Sequence, residues 1–160
     1  MYIKPCSCFS VYLQCRKSNM KKVYVTRRER FNAAHKLWNE AWSSEKNQEI
    51  FGKCANANWH GHNYDLFVTV KGTPQADTGF CIDLKYLSDL IKEKVIEKVD
   101  HKNLNLDVDF MKGIMASTEL LCVKIWEELE PEIKKSGCQL HSVRVHETEN
   151  NMAEYFGEDL

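Results

Sequence analysis

The sequence predicts an α+β domain in which an antiparallel sheet carries helices on one face. Two observations lead there. Stretches with two-residue periodicity come in pairs near both ends of the chain, at about 23–34 and 62–72 and again at 139–147 and 152–157. Between the pairs lie two stretches with helical spacing, at 84–98 and from Thr118 to Gly137. Strands grouped in this way, rather than alternating with helices, favour antiparallel pairing. The order is β, β, α, α, β, β, with no internal repeat.

Each element has its own signal. Val23, Val25, Arg27, Glu29 and Phe31 share one parity, and Tyr24, Thr26, Arg28 and Arg30 share the other, which predicts a first strand running to about Ala34. Residues 36–59 form a long polar connection with one short helix after Ser43 and Ser44. Connections of this length are uncommon in compact domains unless they serve a function. "HNYDLFVTVKG" reads as a second strand, closed by Gly72 and Pro74. Asp83 is placed to cap a helix whose apolar face is Leu84, Leu87, Ile91 and Val95.

"DHKNLNLDVDF" breaks that pattern and reads as a loop. Thr118 offers the next N-cap. Cys122, Ile125, Leu129 and Ile133 then recur at helical spacing until Gly137 stops the helix. The last two strands flank "ETENN", a polar turn.

Composition narrows the function classes. A chain of 160 residues is most simply one domain, with 43% hydrophobic and 28% charged residues as in ordinary globular proteins. A net charge of −1 gives no electrostatic case for nucleic acid or an anionic membrane as partner. No window reaches the length of apolar chain that a transmembrane helix requires. Seven cysteines occur without any CxxC pair, so neither a disulfide framework nor a zinc ribbon is indicated. They read as reduced thiols in a cytoplasmic protein. Residues 1–19 lack a signal-peptide pattern and share no periodicity with the rest of the chain. "MKKVYVTRRERFNAAH" reads as a natural start, which makes 1–19 a disordered extension or a mis-assigned start and 20–160 the domain.

The residues that can carry chemistry are few. His60 and His62 stand two apart at a strand start, so their side chains share one face with Cα atoms roughly 6.5 Å apart. His35 ends the preceding strand. Three imidazoles on adjacent strands suit Zn²⁺ and leave a tetrahedral position open, as in catalytic sites. Cys54 leaves two readings open. As a fourth ligand it would close a structural Cys-His₃ site, and left free it would be a thiolate base beside the metal.

Asp100 next to His101 can form a proton relay, because a carboxylate orients an imidazole and raises its pKa. Glu147, near the end of a strand, is suited to accept two parallel N–H bonds from a guanidine-like ring edge. His141, His146, Glu149, Trp38, Trp42 and Trp59 read as strand surface or loop packing. HExxH, P-loop, GxGxxG and GxSxG motifs are all missing from the sequence.

Taken together, "FNAAHKL", "FGKCANANWHGHNYDLFVTVKG", "DTGFCIDLKYL", "VDHKNLNLD", "STELL" and "VHETENNMAEYFGE" resemble, in order, the 6-pyruvoyl-tetrahydropterin synthase family, which includes the 6-carboxy-tetrahydropterin synthases of bacterial queuosine biosynthesis. The resemblance covers about residues 22–158. It implies a tunnelling fold: a four-stranded antiparallel sheet backed by two helices, three subunits closing a β-barrel, and two trimers stacking into a homohexamer.

It also implies Zn²⁺ on His35, His60 and His62, Cys54 as the proton-abstracting base, Asp100 and His101 completing the relay, and Glu147 gripping the pterin. Thr118 and Glu119 fall at further pterin contacts, with Leu120 standing where the family commonly has asparagine. The implied substrate is 7,8-dihydroneopterin triphosphate. The C-x5-H-x-H spacing resembles the pyruvoyl-forming type and not the C-x3-H-x-H of many carboxy-forming enzymes. Ala57 and Trp59 depart from it, where that type often has proline and glycine.

Overall fold

A computed structural model describes residues 21–158, so the expectation for residues 1–19 lies outside the described residues. Strand β1 (Val23–His35) and strand β2 (His60–Gly72) form the longest ladder, antiparallel from Val23 opposite Gly72 to His35 opposite His60. Strand β4 (Gln139–His146) joins the free side of β2, with a register shift between Thr69 and Val70, and β5 (Met152–Tyr155) joins β4. All these pairings are antiparallel.

One strand was not anticipated. β3 (Lys102–Asn103) lies in the segment read as a loop and pairs in parallel with Ala33 and Ala34, so the sheet has five strands in the order β3-β1-β2-β4-β5 instead of four. Two residues leave no periodicity to read. The expected fold class nonetheless holds: a mostly antiparallel sheet with its helices on one side.

The core sits between that sheet face and the helices. Phe31 and Ala33 of β1, Tyr64, Leu66, Val68 and Val70 of β2, and Val143 and Val145 of β4 point into it. Helix α1 (Ser44–Phe51) lies in the long β1–β2 connection and is capped by Ser43. Helix α2 (Leu84–Ile91) is capped by Asp83, whose side chain accepts from the Lys85 N–H at 2.7 Å. It passes through a wide π turn at Lys92–Ile96 into the short α3 (Glu97–Val99). Leu87, Ile91 and Val95 are fully buried on its inner face, whereas Leu84 is exposed.

Helix α4 (Thr118–Lys135) buries Cys122, Ile125, Leu129 and Ile133, as their spacing predicts. Its N-cap is Ser117, not Thr118: the Ser117 hydroxyl accepts from the Leu120 N–H, and Thr118 is the first helical residue. Either hydroxyl is chemically able to cap, so the one-residue choice rests on tertiary position. Among the described residues, no helix is long and apolar enough to cross a membrane.

Candidate active site

The β1–β2 register brings three histidines together. His35 ends β1 and faces His60, the first residue of β2, while His62 lies two residues further along the same face. Their ring centroids are 4.4, 5.1 and 5.0 Å apart. The intervening Gly61 lies close against the paired strand, where a Cβ would stand 3.0 Å from the Ala33 carbonyl oxygen, a tight contact that a side chain there would have to relieve.

Hydrogen bonding sets the tautomer of the buried member. His35 Nδ1 lies 2.7 Å from the Ala116 carbonyl oxygen, which accepts only from a protonated nitrogen. The lone pair of His35 is therefore on Nε2. That atom, His60 Nδ1 and His62 Nε2 are buried and have no hydrogen-bond partner.

Orphaned buried nitrogens are costly unless something occupies them. One ligand atom from each of the three residues can be chosen so that all lie within 4.8 Å of one another. Burial pushes all three imidazoles below their ordinary pKa, so they are neutral at pH 7 and their lone pairs are free. Neutral imidazoles converging on one point fit a divalent transition metal such as Zn²⁺. Tyr64 forms the floor, edge-on to His35 and His62 and stacked on Phe31.

The other expected residues divide into two groups. Cys54, Thr118, Glu119 and Glu147 line one cleft with His35, about 440 Å³ in volume. Glu147 Oε1 is 3.4 Å from His35 Nε2 and 3.7 Å from His62 Nε2. The Thr118 hydroxyl donates to the same oxygen at 3.1 Å. Cys54 sits in a short 3₁₀ turn, Gly52–Ala55, and its carbonyl accepts from the Leu37 N–H at 2.9 Å. It is half-buried and is not one of the converging metal-site residues.

Asp100 and His101 are elsewhere. They sit beside β3 at the outer edge of the sheet and do not line the cleft. Asp100 Oδ1 accepts from the Asn32 N–H at 2.8 Å, and Oδ2 is 2.9 Å from His101 Nδ1. The Asn32 N–H, followed by His101, holds the Asp100 carboxyl below the ordinary range. The His101 side chain is 76% exposed. A larger hollow of about 760 Å³ is lined by Arg30, Asp65, His146 and also Glu147, among others, and none of the three histidines lines it.

In this architecture, residues 24–158 match the model of the 6-pyruvoyl tetrahydropterin synthase family. The chain belongs to that family. It is 44% identical over 138 residues to the 6-pyruvoyl tetrahydrobiopterin synthase of Dictyostelium discoideum, covering 86% of this chain and 98% of the relative. It is 40% identical over 134 residues to the human protein of that name, covering 84% and 91%. The solved 6-pyruvoyl tetrahydropterin synthase of Caenorhabditis elegans superposes with a TM-score of 0.81 at 35% identity, over 87% of this chain and 98% of that one.

Sequence reasoning passed over several residues of this synthase-family cleft. Asn150, Asn151 and Met152 line it, although the two asparagines read only as a turn and Met152 as the start of the last strand. The turn is closed by the Asn151 carbonyl, which accepts from the Glu147 and Thr148 N–H groups. Asn47 is fully buried and holds the long connection: its amide donates to the carbonyls of Asn39, Trp42 and Ser43, and its Oδ1 accepts from the Asn39 N–H. A polar residue on a short polar helix gives no sign of such a role.

Proposed function

We propose that this chain is a zinc-dependent pterin lyase that converts 7,8-dihydroneopterin triphosphate to 6-pyruvoyl-tetrahydropterin and releases inorganic triphosphate. One observation supports it above the rest: three orphaned, neutral imidazole nitrogens converge, and the residue that carries one of them, His35, lines a cleft with the Glu147 carboxylate and the free Cys54 thiol. The names of the relatives point to the same product class.

His35, His60 and His62 would hold Zn²⁺, which supplies Lewis-acid polarisation of the substrate's side-chain hydroxyls when bound. The chain's own groups do the rest. Glu147 accepts two parallel N–H bonds from the pterin ring edge, its carboxylate oriented by Thr118. Glu119, at the first turn of α4, adds a further contact to the ring. Cys54 removes a carbon-bound proton from the side chain as general base. His101, oriented by Asp100, exchanges protons while triphosphate leaves.

Because Asp100 and His101 stand outside the cleft that holds Cys54, the relay requires a second subunit. This supports a homo-oligomer; the barrel of three subunits and the hexamer of two trimers are what the family resemblance implies.

The test is to incubate purified protein with 7,8-dihydroneopterin triphosphate and identify the products by mass. The pyruvoyl pterin with triphosphate is expected. Acetaldehyde with a 6-carboxy pterin would replace the product assignment, and neither product would end the enzymatic reading.

A further inference from the structure

The last rung of the β1–β2 ladder pairs His35 with His60. Ladder ends fray unless a contact beyond them holds the strands together. One residue further out, Lys36 sets its Nζ 4.7 Å from the centroid of the Trp59 ring and 4.8 Å from that of Trp38. Trp59 immediately precedes β2, so this contact joins the two strand ends directly. Lys36 is half-buried, where the attraction between an ammonium and an indole face exceeds its value in open solvent. Its backbone is pinned from both sides by Asn105, whose Oδ1 accepts from the Lys36 N–H and whose Nδ2 donates to the Lys36 carbonyl.

Trp59 adds an independent observation. Its φ is +64°, in the left-handed region, where a bulky side chain is an outlier. Such backbone strain persists only where the surroundings over-determine it. Glycine would adopt that φ freely but would offer no ring to the ammonium. The Trp59 N–H also donates to the Asn56 carbonyl at 3.1 Å, closing the turn that delivers His60. Lys36, Trp38 and Trp59 line a hollow of about 640 Å³ together with Ile114 and Met115. The residue after Met115 is Ala116, whose carbonyl fixes His35.

We propose that Lys36 is a positioning residue for the metal triad: clamped between Trp38 and Trp59, it holds His35 and His60 at the spacing where their free nitrogens converge. This rests on the reading of the triad as a metal site. The test is Co²⁺ binding to the metal-stripped full chain, read from the visible absorption bands of the bound ion, with thermal melting measured in parallel.

Lys36→Met keeps the stem and loses the charge, and should weaken Co²⁺ binding by roughly three- to thirtyfold and shift the bands. Lys36→Arg should restore wild-type affinity, because a guanidinium stacks on an indole. Trp59→Gly removes one wall while relieving the strain, so it should lose affinity by a similar factor without a fall in Tm. Variants that melt lower yet bind Co²⁺ with wild-type affinity and bands would overturn the clamp alone. A wild type that binds no Co²⁺ would overturn the metal reading and the clamp with it.

Discussion

Glu147 holds its Oε1 3.4 Å from Nε2 of His35, and 3.7 Å from Nε2 of His62, so a carboxylate oxygen stands beside two of the three unpartnered imidazole nitrogens. That position lets one residue face both the histidine triad and the cleft that Cys54 lines. Glu147→Gln keeps the shape and removes the charge. A hydrogen bond to a charged group is worth about 1.5–3 kcal/mol, so KM should rise roughly ten- to a hundredfold. Zinc content by atomic absorption should stay at the wild-type level. Loss of zinc in this variant would instead make Glu147 a metal ligand.

The long connection between β1 and β2 depends on Asn47. Its side chain makes four hydrogen bonds, three donated and one accepted, and is fully buried. Asn47→Ala removes all four bonds and leaves the Trp42 carbonyl and the Asn39 N–H without these partners, whereas the Asn39 and Ser43 carbonyls keep the backbone N–H groups of Trp42 and Asn47. It should cost about 2 kcal/mol or more of stability, read from chemical denaturation. Limited proteolysis should cut within residues 36–59 before any other described segment.

Much of this was legible before the structure. Burial alternates along much of β1 and β2 as their parity predicts, and, exposed Leu84 apart, the inner faces of α2 and α4 carry the apolar residues that their spacing selects. His60 and His62 were readable because strand geometry puts them on one face, and His35 because the preceding strand ends there. Other features left no trace in the chain. β3 is too short for periodicity and exists only through its bond to Ala33 and Ala34. The place of Cys54 depends on the path of a 24-residue connection (residues 36–59) that no spacing rule constrains. The separation of Asp100 and His101 from the cleft is a matter of sheet order, which local sequence does not encode. Trp38 and Trp59 read as loop packing because nothing local shows a lysine between them.

Asp65 gives the pH dependence that can be worked out. Burial alone would raise its pKa. Hydrogen bonds from Arg28 and Arg30 across the β1–β2 ladder, with their charges, outweigh that and hold the carboxyl below the ordinary range. In the unfolded chain the carboxyl returns to its ordinary value, so the unfolded state binds more protons between the two values. The stabilisation is therefore fully present above the ordinary carboxylate pKa and is lost as pH falls through the lower folded value. Asp65→Asn should cost about 1 kcal/mol at pH 7. The gap between wild type and variant in denaturation midpoint should hold at neutral pH and close below about pH 4. A gap that persists at pH 2 would show that packing, not charge, sets it.

Cys54 decides between the two ways of using the metal. It lines the cleft with His35 and Glu147, yet the converging nitrogens are all imidazole and the thiol is not among the metal-site residues. Cys54→Ala should therefore keep one zinc per chain and lose turnover by a hundredfold or more, the usual contribution of a general base. The same geometry predicts what a chelator does. The triad sits at the end of the β1–β2 ladder while the apolar core lies between the sheet and the helices, so the metal-stripped chain should retain its far-UV circular dichroism. A closed Cys-His₃ site that supports folding would give the reverse on both counts: Cys54→Ala would lose its zinc, and chelation would unfold the chain.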